Sequence, residues 1–141
     1  MKNHANLIRE FIDEVLNHGN IEATGESFHE DVAELARFPG QGPGLNGLKD
    51  VLHRFHAAFP NMHWLVEEQI EEGDKVVSRF VWTGSLRAEF GRSGDRRRVS
   101  IWGIAVVRIV DGKIKDTRFI MDALGLMAQR GVFAPGLQAE T

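Results

Sequence analysis

Asp116, Arg118 and Asp122 fall within one seven-residue stretch, and Arg108 precedes them across an Asp111-Gly112 pair. Carboxylates and guanidinium groups so close together can do two kinds of chemistry. A carboxylate deep in an apolar pocket has its pKa raised, which suits proton transfer near neutral pH. An arginine beside it holds that carboxylate ionised, or binds an anionic substrate group. Each residue also has a plainer role. Arg118 and Asp116 can form a structural ion pair. Asp122 stands where a strand gives way to a helix, the position of an N-cap. The sequence alone leaves the cap and the proton-transfer role open.

Other chemistry-bearing groups point to structure. His53 and His56 are three residues apart on a helix, with His63 nearby, a set that can bind metal. No acidic residue sits at matching spacing, and both helical histidines flank the apolar stripe, so they are assigned to the surface and no metal is expected. Glu68 and Arg79 face each other across a Gly73-Asp74 hairpin as a cross-strand ion pair. Trp64 and Thr83 are expected on that same face. Arg92 and Arg96-Arg97-Arg98 form a basic loop, read as a solvated hairpin tip, with an anionic partner as the other option. The glycine-rich stretch at 39–47 is not followed by Lys-Ser/Thr and lies in no βαβ unit, which argues against a phosphate cradle.

These groups need elements to position them. Leu7, Ile8, Phe11, Ile12, Val15 and Leu16 make one face of a helix over 5–18, stopped by Gly19. Asn20 can cap a short second helix reaching about Phe28. The stretch 39–47 is a loop, and Asn46 caps a helix that Pro60 ends. Strands follow at Met62–Glu71, Val76–Leu86, Val99–Val110 and Ile114–Met121, and then a short helix at Leu124–Arg130. Helices first and an antiparallel meander after them mean an α+β fold in a single domain, 1–141. The expected shape is a cone-shaped α+β barrel, with a strongly curved, mainly antiparallel sheet wrapped around N-terminal helices. The default site is the pocket between the concave sheet face and the helices.

The last hairpin has two registers. A two-residue loop pairs 110 with 113 and sets Arg108 against Lys115. A three-residue loop with Gly112 left-handed pairs 109 with 113 and makes Arg108 and Asp116 diagonal neighbours of opposite sign, which is preferred. It puts Ser100, Trp102, Ile104, Val106 and Arg108 on one face with Ile114, Asp116, Arg118, Ile120 and Asp122. If Asp122 points into the cone, Trp102 and Arg118 do too. Ile101, Gly103, Ala105, Val107, Phe119 and Met121 then face outward as an apolar homodimer interface.

Composition narrows the options. The chain has 141 residues, no cysteine and no tyrosine. Thiolate nucleophiles, thiolate metal sites and phenolic acids are therefore excluded. The formal net charge of −3 argues against a nucleic-acid partner. No apolar run approaches the roughly 20 residues of a membrane span. The start of the chain leads into an amphipathic segment rather than a signal-peptide core, so no membrane association and a cytoplasmic location are expected.

Four stretches carry a family resemblance. They are Ala58-Phe59-Pro60-Asn61-Met62, Glu71 to Arg79, Arg108 to Asp116 and Asp122 to Gly131. In this order and spacing they resemble the SnoaL-like polyketide (ester) cyclase family, of the nuclear-transport-factor-like superfold, over residues 5–135. The resemblance implies that Asp122 is the general acid/base. The position of the family's assisting histidine falls on Arg108, and Leu86 stands where the family often has a second histidine. Arg118 replaces a usual tryptophan. The superfold's steroid-isomerase-like, scytalone-dehydratase-like and epoxide-hydrolase-like sites rely on tyrosine, which this chain lacks.

The resulting expectation is a cofactor-free enzyme acting on a small hydrophobic carbonyl compound, polycyclic or polyketide-like. Trp102, Trp64 and Phe38 would pack it, Arg118 or Arg108 would orient it, and Asp122 would move the proton. Hydrolysis or isomerisation of an apolar molecule is a relaxed version. The rival is a non-catalytic binding or regulatory domain. A buried Asp122 lining an apolar cavity of at least ~300 Å³ would favour chemistry. Asp122 capping the last helix at the surface would favour the rival.

Overall fold

A computed structural model of the chain describes residues 3–85 and 98–125. Helix α1 spans His4–Phe11 and runs on as a π-helical turn, Ile12–Asn17. Gly19, at φ +78, then reverses the chain, in line with its sequence role. A 3₁₀ helix, Ile21–Glu26, takes the place of the expected second helix. Asn20 does not cap it; its side-chain amide donates instead to Glu14 at 2.8 Å.

Strand β1, Phe28–Glu34, was not anticipated. Its residues Glu30, Asp31 and Glu34 make it acidic, and it lacks period-two alternation: Phe28 and Val32 are its buried positions. It runs parallel to the last strand, with a register irregularity between Phe28 and Ala33. Helix α2, Gly44–Ala58, starts two residues before Asn46, so Asn46 is not its cap. Gly47 is needed there, because a Cβ would overlap the Gly42 carbonyl.

The remaining strands match the expected positions: β2 His63–Glu72, β3 Lys75–Gly84, β4 Val99–Val110 and β5 Lys113–Met121. The sheet order is β1-β5-β4-β3-β2. Among the described strands only the β1–β5 pairing is parallel. The sheet is curved and open, with β1 and β2 as its edges, rather than a closed barrel. The helices supply Leu7, Ile8, Val15, Leu16 and Leu52 to the core, where they meet Val76, Phe80, Trp82, Val107 and Ile114 from the sheet.

Two bulges decide which side chains face that core. In β2 the register shifts between Val66 and Glu68. Arg79 still meets Glu68, its Nε donating at 2.7 Å, as expected. The extra residue, however, returns Trp64 to the inner face, 6 % exposed, away from Glu68, Arg79 and Thr83.

The second bulge lies in the β4–β5 hairpin. The loop has two residues, not three: Val110 pairs with Lys113, and Asp111 and Gly112 sit at φ 49 and 81. Lys115 is then extra, so Arg108 lies directly opposite Asp116 rather than diagonal to it. The like-charge contact that counted against a two-residue loop is removed by the bulge. Arg108 Nε donates to Asp116 Oδ2 at 2.7 Å.

The bulge keeps most of the anticipated grouping on β4 and β5 but inverts its orientation. Ile101, Gly103, Ala105, Val107, Phe119 and Met121 belong to the inner face or its margin, not to an outer interface. Gly103 shows how tight that side is: a Cβ there would meet Ile120 O and the Phe80 ring at 2.7 Å. Trp102, Ile104, Val106, Arg108, Asp116, Arg118 and Ile120 form the outer face, with Trp102 46 % and Ile120 66 % exposed. Ile114 moves to the inner face, 1 % exposed, because it lies beyond the bulge.

Candidate functional site

A cavity of about 110 Å³ lies between the helices and the concave face of the sheet. Helix α1 and its π turn contribute Ile8, Phe11, Ile12 and Leu16, and α2 contributes Leu48, Val51, Leu52 and Phe55. The sheet adds Trp64, Phe80, Ala105, Val107 and Phe119. Phe38, in the loop between β1 and α2, completes the aromatic wall. Its ring lies 5.3 Å from Phe55 and 5.9 Å from Phe119. Phe119 in turn stacks on Phe80 at 5.6 Å and lies 5.9 Å from Trp64. A chain of rings thus joins Phe38 to Trp64, the two expected site residues that do line the cavity.

The polar lining is sparse: Glu34, Ser78 and Thr117. The Ser78 hydroxyl already accepts from Gln69 Nε2 at 3.1 Å. Glu34 closes β1 opposite Thr117 in the β1–β5 register. Among the described residues it is the one ionisable group on the cavity wall. Burial pushes its carboxyl above the usual 4.5, partly offset by the Ala36 backbone N–H, which donates to Oε1 at 3.1 Å. A smaller hollow with Arg37, Gln41 and Gly42 shares Glu34, Leu48 and Thr117 with the cavity. Glu34 therefore stands between the apolar interior and a polar vestibule.

Trp64 carries the other distinctive polar atom. Its indole Nε1 is buried and has no hydrogen-bond partner among the described residues. Its backbone is held firmly, because Asn17 accepts from its N–H and donates to its carbonyl.

The remaining expected site residues fall elsewhere. Trp102, Arg108 and Arg118 are on the outer face, turned from the cavity by the register described above. Arg108 is engaged with Asp116, so Arg118 is not that carboxylate's partner. Asp122 is half-buried and does not line the cavity. Its Oδ1 accepts the Gly125 backbone N–H at 2.8 Å, the geometry of an N-cap on the turn that begins at Ala123.

Of the histidines, His53 and His63 are exposed as expected. His56 is half-buried and contacts the carbonyls of Leu52 and Leu16 at 2.9 and 3.1 Å. No metal-binding cluster occurs among the described residues. Arg98 bonds Thr83 Oγ1 at 2.9 Å. Leu86, Arg92, Arg96, Arg97 and the stretch 126–130 lie outside the described residues. No described helix is long and apolar enough to cross a membrane.

The family model for SnoaL-like polyketide cyclases matches residues 6–130. The chain belongs to that family. No match is found among curated proteins. Solved structures agree on the fold. TsrD from Streptomyces laurentii is 23% identical, with a TM-score of 0.79, covering 94% of this chain and 100% of its own. A SnoaL-like polyketide cyclase from Agrobacterium tumefaciens C58 is 19% identical, with a TM-score of 0.79, covering 93% and 100%. IdmH from Streptomyces antibioticus is 24% identical, with a TM-score of 0.74, covering 90% and 97%.

Within this SnoaL-like chain, the inner-face carboxyl Glu34 escaped sequence reasoning because β1 did. A polar residue on an otherwise apolar wall leaves a sequence trace only once its strand is recognised. The orphaned Trp64 N–H was equally hidden, since partnership is a tertiary property.

Proposed function

We propose that this SnoaL-like chain is a cofactor-free acid/base enzyme acting on a small hydrophobic carbonyl compound. The observation that carries the reading is an apolar, aromatic cavity whose described wall includes one carboxyl, Glu34, with its pKa raised by burial. Enolisation asks for a base beside an apolar bound carbonyl and for no redox partner, which fits that wall. The volume supports a narrower substrate class than sequence suggests. An apolar cavity of roughly 150 Å³ holds benzene, and at about 110 Å³ this one is smaller still, which excludes a polycycle and admits a single ring only if the wall yields.

The family position for the acid/base is Asp122, but its carboxylate caps a helical turn away from the cavity wall. Glu34 is the better-placed group for proton transfer. The test is α-hydrogen exchange of cyclohexanone in heavy water, followed by proton NMR. Acceleration by the wild type, lowered roughly 100-fold or more in Glu34→Gln and kept in Asp122→Asn, is the expected pattern.

The capping of Asp122, together with a cavity of about 110 Å³ that falls short of the ~300 Å³ set above for chemistry, favours a second reading, a non-catalytic small-molecule-binding domain. Binding of cyclohexanone without acceleration of exchange would select it. The homodimer expectation passes to a different set of residues. The outer sheet face presents Trp102, Ile104, Val106 and Ile120. Sedimentation at micromolar concentration, comparing wild type with Trp102→Glu, tests that interface; an all-monomer wild type would end it.

A further inference from the structure

We infer that the small hollow beside Glu34 holds one water, and that this water exchanges the Glu34 proton with solvent. The role rests on the acid/base reading of Glu34 above and makes Thr117 the residue that positions the water.

Glu34 and Thr117 are partners in the β1–β5 register. Alternation along each strand turns both side chains inward. Glu34 shares a face of β1 with the buried Val32, while Leu35 lies on the other face, 54 % exposed. Thr117 shares a face of β5 with Phe119 of the cavity wall, and is itself buried. Both residues border two spaces, the apolar cavity and the hollow. The hollow measures about 10 Å³. That is the room of a single water, which needs roughly 10–15 Å³ and two to four polar partners.

The hollow offers such partners. A carboxylate has about four lone-pair sites, and at Glu34 the Ala36 N–H occupies one. The Thr117 hydroxyl can donate and accept. Gln41 takes the Phe38 backbone N–H on its Oε1 at 3.1 Å, so its Nε2 is left as a donor. Arg37 stands exposed on the rim.

A base in this position needs an outlet for its proton. When the Glu34 carboxylate takes a proton from the carbon alpha to a ligand carbonyl, the C–H bond breaks and a carboxylic O–H forms. The electron pair becomes the C=C bond of an enolate. Without a second proton carrier the same proton returns to carbon, and nothing is exchanged. Elsewhere the described cavity wall is apolar except for Ser78, which is bonded to Gln69. A water in the hollow takes the Glu34 proton while giving the carboxyl one of its own. Glu34 then delivers a solvent-derived proton to carbon and is restored as the carboxylate.

The test follows the full chain by NMR. Without ligand, the wild type should show cross-relaxation between water and the methyl groups of Val32 and Leu48, apolar residues that line the hollow. Thr117→Val should lose that signal and Thr117→Ser should keep it. In heavy water, Thr117→Val should lower kcat for α-hydrogen exchange of cyclohexanone several-fold or more at unchanged KM, and Thr117→Ser should keep most of it. Valine is the closer match in shape and serine retains the hydroxyl, so a merely structural role would rank the two in the opposite order. The Thr117 backbone carbonyl, which accepts the Leu35 N–H at 2.8 Å, is common to all three.

A wild type without the water signal, or Thr117→Val exchanging as fast as wild type, would overturn the relay while leaving Glu34 as the base. A wild type that does not accelerate exchange would overturn the acid/base reading and the relay with it. The wild-type signal decides the water site even where Thr117→Val fails to fold.

Discussion

Asn17 brackets Trp64: its side-chain oxygen accepts the Trp64 backbone N–H at 2.8 Å and its amide donates to the Trp64 backbone carbonyl at 2.9 Å. One side chain at the end of the π-helical turn thus does what a neighbouring strand would do for β2, an edge strand. It ties the first helical segment to the sheet across 47 residues and fixes the ring that borders the cavity. Helical irregularities of this kind are frequent at functional sites.

Asn17→Ala should therefore be costly for a half-buried polar residue. Both Trp64 backbone groups lose their partner, and the expected loss is about 1–3 kcal/mol. Urea unfolding measures it. A change of only a few tenths would mean that water replaces the amide and that the clamp is dispensable. Cavity binding should weaken in the same variant, since the wall loses its fixed position.

Glu34 gives the chain a signature in pH. Burial raises its carboxyl above 4.5 in the folded state. Between the unfolded and folded values the native state binds more protons than the unfolded one, so stability falls as pH rises through that window. The favourable contribution is complete below about 4.5 and is lost above the folded value. Glu34→Gln cannot ionise, and its amide oxygen still accepts from Ala36. It should match wild type near about pH 4 and be the more stable protein near about pH 8. Denaturation curves at the two values compare them, and an offset independent of pH would show that the carboxyl is not perturbed.

The expected site residues fall into two groups with opposite expectations. Phe38 is on the cavity wall, so Phe38→Ala should weaken cyclohexanone binding several-fold or more. Trp102 and Arg118 are on the far side of the sheet, so Trp102→Ala and Arg118→Ala should leave it unchanged. Titration by NMR distinguishes them. Weakened binding in Trp102→Ala with none in Phe38→Ala would reverse the assignment of faces.

That division marks the limit of what was legible in the sequence. Strand β4, Val99–Val110, was placed to the residue, because a long β-branched run followed by Asp-Gly is a strong local signal. The grouping of Trp102 with Arg108, Asp116 and Arg118 was legible too, since opposite charges facing each other constrain the register. Which group faced inward was not. Most of β4 is apolar on both faces and gives little alternation to read, and an Asp122 that points into the cone selects the opposite face. The two bulges, at 67 and 115, have no composition cue here. Glu34 was missed for a related reason: β1 pairs in parallel with a strand far along the chain, so no hairpin turn announces it.

Asp122 supplies the sharpest contrast between family position and local geometry. As an N-cap, its requirement is a side-chain oxygen that accepts the Gly125 N–H, and asparagine serves there about as well as aspartate. Alanine does not, and losing the cap costs typically about 1 kcal/mol. A capping role therefore ranks the variants: Asp122→Asn close to wild type in stability, Asp122→Ala lower by about that amount. An acid/base role ranks them differently, since asparagine is as incapable of proton transfer as alanine. Measuring stability and cyclohexanone exchange on both variants separates the two. The expected result is full exchange in Asp122→Asn and a stability loss confined to Asp122→Ala. Exchange abolished in a stably folded Asp122→Asn would return the proton-transfer role to Asp122 and leave Glu34 as a buried wall residue.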